Sequence, residues 1–219
     1  MVKNAIAAVL LTAGCSAFAS GNIVVDGSFE DVVQPNGTYG YYYAPGISGW
    51  TVSGGAGDAI EVRNNLVGSA EDGVNYVELD SVHNSGMSQV LDTVAGQTYH
   101  LSFYYSNRAQ NDSYNGPFPG GTVPASTQGL SVDVGTGAVT VAALPANTTT
   151  DNQWALYSTT FVATGLTTLT FEAIGTSDSW GSSLDNVDVS AVPEPAPFAL
   201  MGAGLVLLGG LARRRKRQQ

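Results

Sequence analysis

Hydrophobic and polar residues alternate with a period of two through the middle of the chain. In the segment 76–80, Val77 and Leu79 fall on one face of an extended strand, while Glu78 and Asp80 fall on the other. Further segments with this alternation are 99–105, 130–134, 169–173 and 184–189. Because turn-forming residues separate these segments, the pattern predicts short antiparallel strands with one face toward the core and one toward solvent.

No heptads, long amphipathic helices or tandem repeats interrupt these strands. The pattern therefore predicts an all-β fold, an antiparallel two-sheet β-sandwich that occupies residues 20–192. Two stretches, 34–49 and 106–128, break the alternation and are rich in aromatic residues, Gly and Pro. We expect both to be long loops, which often carry function in a compact domain.

The N-terminus has the parts of a secretory signal peptide. Lys3 precedes a short apolar run, and the run ends in an Ala-x-Ala site formed by Ala17 and Ala19. We interpret residues 1–19 as a signal-peptide helix that signal peptidase removes. Cys15 leaves open a second interpretation, a lipoprotein with its lipid on this cysteine.

The C-terminus also has three parts. Pro193, Glu194 and Pro195 precede an uncharged apolar run at 196–212. At 1.5 Å per residue this run is about 25 Å long, so we expect a short transmembrane helix. The basic residues that follow it are Arg213, Arg214, Arg215, Lys216 and Arg217. By the positive-inside rule they keep this end in the cytoplasm.

This order of parts resembles the PEP-CTERM sorting signal of exported bacterial proteins. The resemblance covers residues 193–219. It implies that an exosortase-type membrane protease processes the tail near the Pro-Glu-Pro motif, so that the helix is only a transient membrane anchor. It also implies a precursor anchored in the inner membrane, and then a location at the cell surface or in the extracellular matrix.

The charge is distributed unevenly along the chain. The whole sequence carries a formal net charge of −10, but six of its eight basic residues lie in the two terminal segments. Residues 20–192 contain 17 acidic residues against Arg63 and Arg108, a net charge of −15. Such a domain repels nucleic acids and anionic membranes. The single cysteine excludes a disulfide framework.

Several segments of the middle region resemble galactose-binding-like jelly rolls, a group that includes carbohydrate-binding modules. The segment 22–30 (NIVVDGSFE) is similar to their first strand, and the segment 183–187 (SLDNV) is similar to their last. The resemblance implies a two-sheet jelly roll with a non-catalytic glycan-binding role. It also implies a structural calcium ion.

In that resemblance, the implied Ca²⁺ ligands are Glu30, Asp185 and the carbonyl of Ser28. The residue pattern agrees in part, because Asp185 has the same parity as the inward Val187 and Val189 and is expected to lean inward. A buried carboxylate needs a cation or several hydrogen-bond donors, and residues 20–192 contain no lysine. The alternative is that Asp185 accepts backbone N–H groups in a turn. Asp80 is a weaker third carboxylate.

Neutral glycans are held by aromatic faces and by a few planar polar groups. Trp50 and Trp154 are expected in the core. The arginines supply forked donors. The candidate ligand-binding residues are therefore Tyr41, Tyr42, Arg63, Arg108, Tyr114 and Phe118.

Catalysis has less support. Glu78 and Asp80 lie about 7 Å apart along one strand, a spacing compatible with a glycosidase carboxylate pair, but the alternation predicts a solvated face for both. His83, Ser85 and Asp80 are close in sequence, yet only spatial geometry defines a catalytic triad. The chain has no H-E-x-x-H, G-x-S-x-G or P-loop motif. We assign no catalytic residue.

These observations predict an exported surface or matrix protein whose domain associates with extracellular polysaccharide without catalysis. The alternative is a purely structural or adhesive matrix protein that has no sugar pocket. A polysaccharide-active enzyme is a third, weaker hypothesis. A pocket lined by aromatic residues favours the first hypothesis, whereas a flat Ser/Thr/Asn surface favours the second.

Overall fold

The structure is a computed structural model that describes residues 21–110 and 122–193. The predicted signal-peptide helix and the apolar run at 196–212 lie outside these residues, and so do Tyr114 and Phe118. Within the two described ranges, no helix has both the length and the apolar character needed to cross a membrane.

The described residues form twelve strands and one short 3₁₀ turn at Ala125–Thr127. The first six strands are β1 (Thr38–Tyr43), β2 (Gly46–Ile47), β3 (Trp50–Ser53), β4 (Ala59–Asn64), β5 (Asn75–Glu78) and β6 (Gly86–Leu91). The other six are β7 (Thr98–Ser106), β8 (Leu130–Asp133), β9 (Val139–Thr140), β10 (Ala155–Val162), β11 (Thr167–Ala173) and β12 (Ser183–Ala191).

These strands form two six-stranded antiparallel sheets. The first sheet has the order β1-β4-β5-β12-β7-β10, and the second has the order β2-β3-β6-β11-β8-β9. Consecutive strands repeatedly cross from one sheet to the other, as β1 to β2, β3 to β4 and β5 to β6 do. This connectivity is that of a double-sheet jelly roll, so the predicted all-β sandwich is confirmed.

The core lies between the two sheets and follows the predicted alternation. Leu101 and Phe103 of β7 are fully buried, and they face Leu169 and Phe171 of β11 across the sandwich. Trp50 is also in the core, as expected, with its ring 5.9 Å from that of Phe171. The alternation of β7 and β11 therefore positions an aromatic-rich centre that holds the two sheets together.

Two segments differ from the predictions. The stretch 34–49 is not one long loop, because it contains β1 and β2. The segment 22–30, expected to be the first strand, forms turns beside β12 instead. It is attached there by hydrogen bonds from the Ile23 N–H to the Val189 carbonyl and from the Val187 N–H to the Gly27 carbonyl, each 2.9 Å long.

The prediction that Glu78 and Asp80 lie on a solvated face is wrong. Glu78 is 0% exposed and Asp80 is 1% exposed, so both faces of this strand are buried. The reason is that β5 is an inner strand whose outward side is covered by arginine side chains and by the loop before β12. Trp154 is also not a core residue: it is half-buried, and its ring packs edge-on against Tyr76 at 5.8 Å.

A β-bulge changes the direction of Asp185. The register with β7 shifts between Asp185 and Asp188, and Asn186 has a positive φ of 49°. Leu184 therefore lies in the core, whereas Asp185 pairs with Tyr104 on the outward face of the first sheet. Asp185 is fully buried as predicted, but a loop covers it from outside rather than the core from inside.

Candidate functional site

The outward face of the first sheet carries the candidate site. The antiparallel register places Tyr41 opposite Glu61, and Glu61 opposite Glu78, in one row across β1, β4 and β5. The neighbouring row contains Tyr39, Arg63 and Tyr76. Because residues opposite each other share a face, the alternation of these three strands gathers tyrosines and charged groups on one surface.

Four charged side chains form a buried network behind this surface. The Arg63 Nε donates to Glu61 Oε1 at 2.8 Å, and the Arg63 Nη1 lies 2.7 Å from Glu78 Oε2. The Arg108 Nη1 donates to both Glu78 oxygens, at 3.1 and 3.0 Å. The Gly181 N–H adds a further donor to Glu78 at 3.0 Å. The network is electrically balanced, with two arginines against two glutamates.

Burial and pairing shift the pKa values in this network. Burial raises the pKa of Glu78, and the charges of Arg63 and Arg108 oppose that rise. For Arg63, burial lowers the pKa, but Glu78 and Glu61 outweigh it and leave the pKa raised. Because an arginine keeps its charge at any accessible pH, Glu78 is the member of this ion pair that can lose its charge as the pH falls.

Arg108 connects the network to the loop before β12. Its guanidinium carbon lies 4.2 Å above the ring of Trp180, a cation–π contact, and its Nη1 donates to the Ser179 carbonyl at 3.4 Å. Arg108 follows the end of β7, and Trp180 precedes the start of β12. Since these two strands are neighbours in the first sheet, their adjoining loops meet beside the network.

A cavity of about 350 Å³ opens at this place. Its size is at the lower end of small-molecule sites. Its lining residues are Gly37, Thr38, Tyr39, Tyr41, Glu61, Arg63, Leu66, Val67, Arg108, Ser179 and Trp180. Exposed tyrosine edges form one side, since Tyr39 and Tyr41 are 45% and 38% exposed and pack edge-on at 5.3 Å. The cavity thus combines aromatic walls with hydrogen-bonding groups.

The structure brings three of the predicted ligand-binding residues together, namely Tyr41, Arg63 and Arg108. It places Tyr42 elsewhere, because the β1 alternation turns this side chain toward the core side, where its hydroxyl donates to Gln34 Oε1 at 3.2 Å. Tyr114 lies outside the described residues.

Sequence reasoning missed Tyr39 and Glu61 as lining residues. It counted Trp180 among the aromatic residues available for a sugar contact but did not select it as a candidate. The alternation of 38–43 would have grouped Tyr39 with Tyr41, had this segment been recognised as a strand. No local pattern points to Trp180, since its place depends on the packing of two loops.

Two of the residues predicted to bind calcium, Glu30 and Asp185, accept backbone N–H groups of the loop at 71–75. Asp185 accepts the N–H groups of Glu71, Asp72 and Asn186 at 2.7, 3.0 and 2.7 Å. Glu30 accepts two further N–H groups of the same loop, those of Val74 and Asn75, at 2.8 and 2.7 Å. As arranged here, these oxygens fit amide donors, which was the alternative to a metal. The calcium site of Glu30, Asp185 and the partly buried Ser28 stays a prediction.

No three His, Cys, Asp or Glu side chains within 21–110 and 122–193 converge in a metal-binding arrangement. His83 pairs with Asp58 at 2.8 Å, while the Ser85 hydroxyl donates to the backbone carbonyls of Ala59 and Leu79. His83, Ser85 and Asp80 therefore do not form a catalytic triad.

Strand order and site together define a two-sheet jelly roll with a polar–aromatic cavity on one outer face. The chain belongs to the HpiC1-like family, whose model, described as HpiC1 cyclase, matches residues 21–175. The PEP-CTERM protein-sorting motif matches residues 191–216. This match confirms the sorting signal, which marks the chain as an exported, membrane-processed protein and implies processing by an exosortase.

Solved structures with a similar fold include TmCBM61 in complex with β-1,4-galactotriose, with 20% identity, a TM-score of 0.46 and coverage of 78% of this chain and 98% of that one. CBM35 from Paenibacillus barcinonensis has 19% identity, a TM-score of 0.40 and coverage of 71% and 100%. The arabinose-bound α-L-arabinofuranosidase MgGH51 has 10% identity, a TM-score of 0.48 and coverage of 80% and 27%. No curated protein shows a significant match.

Proposed function

We propose that this exported protein binds a neutral glycan in the cavity on the outer face of its first sheet, without catalysis. The observation that carries the proposal is the cavity itself, where Tyr39, Tyr41 and Trp180 stand beside the Arg63 and Arg108 guanidinium groups. Aromatic faces suit sugar C–H groups, and guanidinium forks suit sugar hydroxyls.

The charge of the site supports a neutral ligand. Two arginines and two glutamates balance within the network, and the surrounding domain carries a net charge of −15. An anionic polymer approaching this surface meets repulsion that the paired arginines do not offset. A neutral glycan meets hydrogen-bonding groups without that repulsion.

The sorting signal supports the place of action. A protein exported and released by an exosortase reaches the cell surface or the extracellular matrix, where polysaccharides are abundant. We therefore propose that extracellular polysaccharide is the binding partner. A purely structural matrix protein needs no such cavity, so the aromatic-lined site favours glycan binding over that alternative.

Two tyrosines of β1 provide a matched test. Tyr41 lines the cavity, whereas Tyr43, two residues later on the same face, does not. We expect Tyr41→Ala to weaken binding to neutral polysaccharides by about tenfold, which corresponds to about 1.4 kcal/mol for the loss of one aromatic face from the cavity. Tyr43→Ala is expected to leave binding unchanged. A glycan array followed by calorimetry on the purified full chain measures both.

Equal affinity of the two variants would place the binding surface elsewhere. The absence of binding to any polysaccharide on the array would remove glycan binding altogether and leave the structural matrix role.

A second candidate function is enzymatic, because the model of the family is described as a cyclase. The structural feature that fits it is the pair of Glu61, which lines the cavity, and Glu78, which lies behind the cavity wall and whose pKa burial raises, as in general acids. Ring closure started by proton transfer returns an isomer of unchanged mass. Chromatography coupled to mass spectrometry, on extracts incubated with the wild type and with Glu78→Gln at a temperature where circular dichroism shows the variant to be folded, detects a compound that changes retention time at constant mass only in the wild type.

A further inference from the structure

Two carboxylates outside the predicted calcium site converge on one backbone amide. Asp80 Oδ2 accepts the N–H groups of Asp178 and Trp180 at 3.1 and 3.2 Å. Asp178 Oδ1 accepts the same Trp180 N–H at 3.1 Å. The shared donor holds the two carboxylates side by side at the base of the loop between β11 and β12.

Two buried oxygens at this place have no hydrogen-bond donor among the described residues. They are Asp80 Oδ1 and Asn84 Oδ1. Asp80 and Asn84 are paired in a β-bridge, and Asp80 is 1% exposed. The Asn84 Nδ2 donates to the Gly175 carbonyl at 3.2 Å, which fixes the direction of the amide. A buried acceptor without a donor is unfavourable, and the bridged residues Asp80 and Asn84 contribute one each, which points to a bound group at this bridge.

The surrounding charge indicates the sign of that group. Neither carboxylate takes part in a salt bridge within the described residues. Burial raises the pKa of Asp178, and both the charge of Asp80 and a side-chain hydrogen bond with Asp80 raise it further. The charge of Arg108 lowers this pKa, but its guanidinium is already engaged with Glu78.

We propose that Asp80, Asp178 and Asn84 bind a divalent cation of the Ca²⁺ type. Carboxylate oxygens and an asparagine carbonyl are the ligands that Ca²⁺ takes, and water completes its shell. Asp178 is only partly buried, so the ion has access from solvent. With few protein ligands, the expected dissociation constant is that of weak extracellular sites, on the order of 10⁻⁴–10⁻³ M.

This site differs from the one predicted at Glu30 and Asp185, which caps the 71–75 loop. A cation between Asp80 and Asp178 fixes the loop that carries Ser179 and Trp180 into the cavity. Cation binding is therefore expected to strengthen glycan binding. This consequence rests on the proposed function, whereas the cation site itself does not.

Terbium luminescence tests the site directly, because Tb³⁺ replaces Ca²⁺ and Trp180 lies next to the carboxylates as an energy donor. We expect the full chain to give a saturable signal that Ca²⁺ displaces, and Asp178→Asn to weaken Tb³⁺ binding at least tenfold. The control is Asp133→Asn, since Asp133 accepts three backbone N–H groups in an exposed turn of the second sheet. Glu30→Gln removes a ligand of the other predicted calcium site, so Tb³⁺ luminescence that remains in this variant comes from the site at Asp80 and Asp178.

Wild-type Tb³⁺ affinity in Asp178→Asn, or no saturable signal at pH 7, would overturn the proposal. The second result would indicate that the two carboxyls share a proton instead. Because Asp178 is partly exposed, circular dichroism is expected to show that its variant keeps the fold. Glycan affinity with and without Ca²⁺ is the separate readout. Unchanged glycan affinity would contradict only the coupling between cation binding and glycan binding. If no glycan binds at all, the proposed function is wrong, but the terbium result still decides whether the cation site exists.

Discussion

At the residue scale, the site depends on charges that are almost completely removed from water. Arg63 is 2% exposed, Glu61 is 3% exposed and Glu78 is 0% exposed. Such groups are tolerated only when paired, because an unpaired buried charge loses its hydration without compensation. The network therefore both positions the cavity wall and makes each of its members hard to replace.

Replacing Glu78 by Gln tests this dependence. The change keeps the shape of the side chain but leaves Arg63 and Arg108 without their shared carboxylate. We expect a loss of about 3–5 kcal/mol in the free energy of unfolding, the usual cost of breaking a buried ion pair. Urea unfolding measures it. The control Glu172→Gln changes an exposed glutamate of β11 and is expected to stay within about 0.5 kcal/mol of the wild type. A Glu78→Gln loss as small as that of the control would contradict the role of the network.

The raised pKa of Asp185 predicts that the free energy of unfolding depends on pH. Burial raises its pKa to about 7, although the N–H groups of Asp72, Asn186 and Glu71 oppose the rise. The folded state thus holds this proton more tightly than the unfolded state, whose carboxyl titrates near pH 4. The protonated Asp185 therefore contributes its full stabilisation of the folded state below about pH 4, and this contribution is lost as the pH rises through 7. The free energy of unfolding falls by no more than about 1.4 kcal/mol per pH unit. Urea unfolding in EDTA compares this slope with that of Asp185→Asn, and equal slopes would contradict the raised pKa.

The predicted calcium ion at Glu30, Asp185 and Ser28 would have the opposite effect on this pH dependence. A bound cation favours the ionised carboxylate, so adding CaCl₂ is expected to abolish the slope between pH 4 and 7. It is also expected to raise the melting temperature, because a ligand of the folded state stabilises it by mass action. An unchanged slope and melting temperature, together with no metal by elemental analysis, would leave Asp185 as a cap for backbone N–H groups.

At the element scale, strands with strict alternation were predictable and irregular ones were not. In β7 and β11 the alternation alone indicated which side chains enter the core. In β12 the bulge at Asn186 reversed the parity, and no residue type there announces it. β1 was missed because Tyr39, Tyr41 and Tyr43 alternate with Gly40 and with a further tyrosine, Tyr42, which gives little contrast between the two faces.

The turn segment 22–30 is held by close backbone contact with β12. A Cβ atom on Gly27 would lie 2.2 Å from the Val187 carbonyl oxygen, which is backbone and cannot turn aside. We therefore expect Gly27→Ala to lower the free energy of unfolding by about 1–3 kcal/mol, the usual cost of overpacking. Gly21→Ala is the matched control, since nothing lies within 4 Å of its added Cβ. A Gly27→Ala variant as stable as this control in thermal unfolding would show that the segment is free to move away from β12.

At the scale of the whole molecule, the sorting signal could be predicted from the sequence, whereas the cavity could be found only in the structure. The sorting signal is local, so its motif could be read without a fold and was confirmed. The cavity is not local: Tyr41 and Arg63 come from neighbouring strands, while Arg108 and Trp180 come from loops 72 positions apart in the chain. Composition did indicate that two arginines were exceptional in an acidic domain, and both line the cavity.

The net charge of −15 on residues 20–192 gives the proposed binding a distinct salt dependence. Binding of a neutral polysaccharide is expected to change less than about twofold between 20 and 200 mM NaCl, since no net charge is transferred. A polysaccharide rich in uronic acid is expected to bind more weakly at 20 mM NaCl and to gain affinity as salt screens the repulsion over a Debye length of about 10 Å at 0.1 M. Affinity electrophoresis of the full chain against both polymers measures this, with Tyr43→Ala as a variant that keeps the charge and the cavity. Tighter binding of the anionic polymer at low salt would show that the two arginines attract ligands in spite of their glutamate partners, and the neutral-glycan assignment would then be wrong.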